Sequence, residues 1–120
     1  MKPRVLCVDD QYCIRVLLKE ILKRDYDVIT VGTGEEAIEN VLKYSPQVVI
    51  LDMKLEEMKG TEVLKTIKQI NCNIGTIILT GYLDKDMLNE IEESQPEKII
   101  TKPFEIDHIQ RSVRELVSGM

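Results

Sequence analysis

The chain has 120 residues, 43% of them hydrophobic and 31% charged, with a formal net charge of −5. That length fits one domain with a core of its own, and Lys and Arg scattered among acids leave no basic stripe for nucleic acid. No apolar run approaches the roughly 20 residues that span a bilayer, and Met1-Lys2-Pro3-Arg4 leads into a strand with no secretory signal pattern, so a cytoplasmic protein without membrane contact is expected.

The first predicted strand, Arg4–Val8, is a short apolar run that stops on Asp9-Asp10. A helix over Tyr12–Lys23 follows, with Ile14, Leu17, Leu18, Ile21 and Leu22 on one stripe. The strand Asp27–Val31 is the most polar and is expected at a sheet edge. Thr33-Gly34-Glu35-Glu36 is a capping-type start for a helix over Glu35–Lys43, which Ser45-Pro46 closes. The run Val48–Leu51 reads as a buried strand and stops on Asp52. A helix over Thr61–Gln69, a strand over Thr76–Leu79 and a helix over Asp84–Glu93 come next. The strand Lys98–Thr101 and a helix over Ile106–Val117 complete the pattern, with Pro96 and Pro103 at boundaries where a missing N–H costs little. Strand and helix alternate throughout without a linker or repeat, so right-handed crossovers predict an α/β fold. The natural closure is a doubly wound, flavodoxin-like (βα)5 domain with a parallel sheet of order 2-1-3-4-5.

That order brings the strand ending at Asp9-Asp10 beside the strand ending at Asp52, and adds Thr80 and Lys102 from the next two strand ends. A single aspartate at a strand end is ordinarily a cap or turn residue. Three carboxylates in one crevice are different, because like charges cannot all stay ionised there without a cation. Oxygen ligands and an incomplete shell suit Mg²⁺, or Mn²⁺. Asp10 and Asp52 are the candidate direct ligands, Asp9 binds directly or through water, and a backbone carbonyl just after Asp52, that of Lys54, completes the protein's share. Asp52 then has an oxygen free to attack phosphorus. Lys102 supplies a mobile point charge and Thr80 a hydroxyl for the phosphoryl oxygens, while Gly81 lets the backbone come close.

Val8-Asp9-Asp10, Leu51-Asp52-Met53, Leu79-Thr80-Gly81 and Thr101-Lys102-Pro103-Phe104 resemble the motif set of the response-regulator receiver domain, over essentially the whole chain. Gly60 falls where that family places a glycine after the phosphoacceptor loop. The resemblance implies that Asp52 accepts a phosphoryl group from a phosphohistidine on a partner histidine kinase, with Mg²⁺ at Asp9, Asp10 and Asp52. More narrowly, Asp9-Asp10-Gln11-Tyr12, Asp52-Met53-Lys54, Tyr82 and Phe104-Glu105-Ile106-Asp107 are similar to the single-domain sporulation phosphorelay intermediate type. Two positions depart from the pattern. Glu56, followed by Glu57, stands where the loop usually carries proline, and Ile99 stands where an aromatic residue usually pairs with the threonine as a rotamer switch.

With the chain ending at Met120 after its last helix, residues 1–120 are expected to form a single receiver domain with no output domain. Its signal would leave by protein contact or onward transfer, for instance to a downstream phosphotransferase, from a monomer or a phosphorylation-dependent dimer. Gln11, Tyr12, Ile14, Arg15 and Leu18, with the loops around Asp52, Tyr82 and Phe104, are the candidate docking surface. His108 is expected at the surface, so the donor phosphohistidine must come from another protein. A hydrolase of the aspartyl-phosphate type is the alternative, but it wants a second acid where this chain has Lys54. A flavin-binding module would need a phosphate cradle where Asp9-Asp10-Gln11 would repel the phosphate. Cys7, Cys13 and Cys72 lack metal-ligand spacing; the first two are expected to act as small buried apolar residues and Cys72 to lie in a loop.

Overall fold

In a computed structural model of the chain, which describes residues 2–81 and 85–119, five short apolar runs pair in parallel in the order β2-β1-β3-β4-β5. The elements alternate as β1 (Arg4–Val8), α1 (Tyr12–Leu22), β2 (Asp27–Val31), α2 (Gly34–Tyr44), β3 (Val48–Asp52), α3 (Gly60–Ile70), β4 (Gly75–Thr80), α4 (Lys85–Ser94), β5 (Lys98–Thr101) and α5 (Ile106–Ser118). The predicted sheet order is the observed one, and the polar strand β2 forms one edge.

The period-two alternation of side chains along the strands divides the core into two layers. Leu6, Val8, Val49, Leu51 and Ile78 face α2, α3 and α4, meeting Ala37, Val41, Val63, Leu64, Ile67 and Ile91. Val5, Cys7, Val48, Ile50, Ile77, Leu79 and Ile100 face α1 and α5, meeting Leu18, Ile21, Leu22, Ile109 and Val113. Every residue of β3 is buried, as a strand covered by helices on both faces must be. Losing one such side chain, for example in Leu64→Ala, costs about 2–5 kcal/mol in a core of this kind.

The local signals are realised with small shifts. Thr33 caps α2, its Oγ1 accepting from the Glu36 backbone N–H at 3.1 Å and donating to Glu36 Oε1 at 3.1 Å. Ser45 ends that helix in the left-handed region (φ 46°) just before Pro46. Strand β4 starts one residue earlier than the apolar run indicates, at Gly75, whose N–H donates to Gln47 O at 3.0 Å. Glycine disfavours strands on propensity alone, but a Cβ here would lie 3.1 Å from Leu116 Cβ, so the bare backbone is what lets α5 pack. Helix α4 is described from Lys85, and the predicted start at Asp84 lies outside the described residues.

Two expectations need correction. Leu17 is 40% exposed, since its place on α1 lies at the margin of the buried stripe of Leu18, Ile21 and Leu22. Cys13 is exposed as well, in the first turn of α1, whose buried residues begin only at Leu18. At the opposite end of the sheet, Glu97 accepts from the Thr76 N–H at 3.0 Å, the Thr76 hydroxyl and the Lys68 ammonium. Burial pushes the Glu97 carboxyl up, but these bonds outweigh it and hold it below the ordinary glutamate value. The network ties α3, β4 and the entry to β5, and no periodic pattern in the sequence announces it.

Cys7 is fully buried and its thiol is pushed up to about 12, first by burial and then by the Asp9 charge. The thiolate is the reactive form, so alkylation of the folded protein at pH 8 is expected to label Cys13 and Cys72 and spare Cys7. Mass spectrometry would then find two adducts on the folded chain and three after denaturation.

Candidate functional site

The carboxyl ends of β1, β3, β4 and β5 open at one end of the sheet, β1 delivering two carboxylates there and the others one functional group each. Asp9 follows β1 directly and is fully buried. Its N–H continues the ladder to Val31 O at 3.2 Å, and its Oδ1 turns back to accept from the Gln11 N–H at 2.9 Å. Asp52 is the last residue of β3, paired in register with Leu79, and is 7% exposed. Thr80 ends β4 opposite Thr101 and is buried; its hydroxyl lies 3.6 Å from Met87 Sδ of α4. The Lys102 N–H is held by Thr80 O at 2.8 Å, which fixes where the lysine side chain leaves β5.

From there the Lys102 ammonium donates to Asp9 Oδ2 at 3.0 Å and lies 3.2 Å from Asp52 Oδ1. It bridges two buried carboxylates that would otherwise repel each other. Asp10 is exposed beside them, and one carboxylate oxygen from each of Asp9, Asp10 and Asp52 lies within 4.8 Å of the others. Three carboxylates against one ammonium leave an excess of two negative charges. An all-oxygen donor set with that excess fits a hard divalent cation. Lys54 and Gly81 line the same cavity, about 380 Å³ in volume. Among the described residues beyond its chain neighbours, a Cβ at Gly81 would meet no atom within 4 Å.

The charges leave their mark on the titrating groups. Burial pushes the Asp52 carboxyl above its ordinary value, the Asp9 and Asp10 charges add to this, and Lys102 opposes it. For Lys102 burial acts downward, yet the hydrogen bond to Asp9 and the charges of Asp52 and Asp9 hold the ammonium above the ordinary lysine value.

Behind Asp52, the loop 54–59 is closed at its base. Met53 N–H donates to Leu79 O at 2.8 Å, Gly60 N–H donates to Met53 O at 2.7 Å, and Lys54 and Lys59 form an isolated antiparallel bridge. Lys59 also pairs with Glu90 of α4 at 3.0 Å. Gly60 is required by space: a Cβ there would lie 2.3 Å from Asp52 O and 2.9 Å from Met53 Cα.

Asp9, Asp10, Asp52, Lys54, Thr80, Gly81 and Lys102 therefore converge as the sequence predicts. Tyr82 lies outside the described residues. Ile99 packs half-buried against the α2–α4 layer of the core, and His108 is exposed on α5. Two members of the expected docking surface are committed elsewhere. Leu18 is fully buried, and Arg15 turns its guanidinium onto the Asp9 carbonyl at 2.7 Å, a contact with no sequence signature. Ile14, Leu17, Pro103 and Phe104 do line an apolar cavity of about 350 Å³ beside Lys102.

A family model described as the response regulator receiver domain matches residues 5–114. The chain is 40% identical over 116 residues to sporulation initiation phosphotransferase F of Bacillus subtilis (strain 168), covering 96% of this chain and 94% of that protein. It is 29% identical to chemotaxis protein CheY of the same strain, over 98% of this chain and all of that protein. Among solved structures, the signal receiver domain of a putative LuxO repressor protein from Vibrio parahaemolyticus superposes with a TM-score of 0.91 at 32% identity, covering 99% of this chain and 92% of that chain.

Because the folded Asp52 carboxyl lies above its ordinary value of 3.8, the folded chain holds more protons than the unfolded one between the two values. Stability therefore falls as pH rises through that window. In chelator-treated buffer at pH 7, Asp52→Asn is expected to melt a few degrees higher than the native chain. The gap should close as pH falls toward 3.8, which calorimetry would follow. Gly60→Ala must push α3 away from Asp52 and is expected to cost about 1–3 kcal/mol in urea unfolding.

Proposed function

Since the chain belongs to the response regulator receiver domain family, we propose that it accepts a phosphoryl group on Asp52 from a phosphohistidine of a sensor histidine kinase. The observation that carries this reading is the Lys102 ammonium lying between the buried Asp9 and Asp52 carboxylates with Asp10 in reach. Asp52 is the nucleophile. One carboxylate oxygen forms the new bond to phosphorus in line with the departing imidazole nitrogen, whose P–N bond breaks, and the ring leaves neutral after taking a proton. Asp9, Asp10 and Asp52, with the Lys54 carbonyl, would hold Mg²⁺ or Mn²⁺, which supplies positive charge to the phosphoryl oxygens when bound. Lys102 turns from Asp9 to one phosphoryl oxygen, and the Thr80 hydroxyl donates to another. Both groups already line the cavity.

In this reading residues 1–120 act as one receiver that relays or reports the group by protein contact in the cytoplasm, as a monomer or a phosphorylation-dependent dimer. The similarity to a protein named a phosphotransferase supports onward transfer of the group, and a downstream phosphotransferase is the proposed recipient. The apolar cavity of Ile14, Leu17 and Phe104 beside Lys102 supports docking from the α1 side. Among the described residues no helix is long and apolar enough to cross a membrane. A hydrolase of small phosphate esters is not favoured, because Lys54 offers no general acid or base two residues after the nucleophile. The protein catalyses only its own phosphorylation and a slow loss of the group.

Incubation with Mg²⁺ and acetyl phosphate, or with a phosphorylated kinase, is expected to add one phosphoryl mass, mapped to Asp52. Asp52→Ala and chelation of the metal should each abolish the adduct. Rapid multiple turnover of small phosphate esters would instead speak for the hydrolase.

A further inference from the structure

We infer that Arg15 is a positioning residue for the carboxylates at the end of β1, holding the Asp9–Asp10 peptide from behind. The inference rests on the metal-binding reading of Asp9, Asp10 and Asp52. Asp9 is fastened at four points: its N–H to Val31 O, its Oδ1 to the Gln11 N–H, its Oδ2 to Lys102, and its carbonyl oxygen to Arg15 Nη1 at 2.7 Å. That carbonyl belongs to the peptide joining Asp9 to Asp10, so its direction sets where both side chains leave the backbone. The carbonyl stands where the β1 ladder ends, and Arg15 supplies a charge-assisted donor in place of a strand.

Arg15 is built for this place. Among the described residues it forms no ion pair, and its guanidinium lies 5.7 Å from the Tyr12 ring, which supports one face. Gly32 borders the guanidinium as well: a Cβ there would come 3.1 Å from Arg15 Nη1 and 3.6 Å from Cζ. Gly32 does not have a positive φ, so its backbone would accept alanine, and the missing side chain serves the guanidinium. Three elements thus meet at one point: the end of β1, the second turn of α1 and the loop after β2.

The fastening matters most when Lys102 turns to a phosphoryl oxygen. Asp9 then loses the bond at Oδ2, and the bonds to Arg15, Gln11 and Val31 are what keep its carboxylate aimed. A lysine at position 15 would keep a donor but lose the planar fork that reaches the carbonyl while stacking on Tyr12.

The test is the Mg²⁺ dissociation constant of the unphosphorylated protein, read by NMR titration, with the melting midpoint measured alongside. R15A is expected to weaken Mg²⁺ binding about tenfold, the scale seen when a group orienting a metal ligand is removed, and R15K to recover part of it. G32A keeps the arginine but crowds its seat, so it should weaken binding in the same direction and add nothing on top of R15A. Should R15A fail to fold, R15K and G32A carry the same readout. Constants for these variants within about twofold of the native chain, or full additivity of R15A and G32A, would overturn the inference. A native chain that takes no Mg²⁺ overturns the metal reading, and this inference with it.

Discussion

One ammonium between two buried carboxylates is the constraint on which the site depends. Asp9 and Asp52 sit on adjacent strands at the same level of the sheet, both almost out of reach of water. Two such charges cannot share a pocket unless a cation lies between them. Lys102 meets that need at 3.0 and 3.2 Å, and the register of β4 and β5 puts it there through the Thr80 carbonyl. The lysine satisfies only part of the demand, which is why the pocket remains selective for further positive charge. Burial first, and the Asp9 charge after it, make Asp52 keep a proton more readily than an ordinary aspartate despite the lysine.

Much of this was legible in the chain because each functional group stands where an apolar run stops. Val48–Leu51 can only be a covered strand, and the residue that ends it has nowhere to point but the open crevice. The sheet order followed from the handedness of crossovers, and the order alone brings Asp9-Asp10 to Asp52. Contacts that depend on reach left no such trace. Arg15 meets the Asp9 carbonyl through a long side chain, and Glu97 gathers Thr76 and Lys68 at the far end of the sheet. Cys13 and Leu17 misled for a related reason. Apolar character and helical spacing place a residue on a stripe, but where the buried part of that stripe begins, here at Leu18, is decided by tertiary packing.

The departures from the family pattern fall around the site and leave its centre intact. Ile99 fills its place in the α2–α4 layer as an aliphatic group with no polar tip to expose. The Thr80 hydroxyl meets the sulfur of Met87, so the threonine borders α4 as well as the crevice. Glu56 and Glu57 occur in the exposed part of the loop after β3.

That loop is clamped at its root by Gly60 N–H on Met53 O, by the Lys54–Lys59 bridge and by the Lys59–Glu90 ion pair. The clamp holds the root beside the carboxylates, while Glu56 and Glu57 stand exposed beyond it. Under the proposed function, substitutions at positions 56 and 57 would change the charge on the loop surface without touching the hydrogen bonds that hold its root. On that reading, the loop's charge and the phosphoryl chemistry are separable targets for redesign.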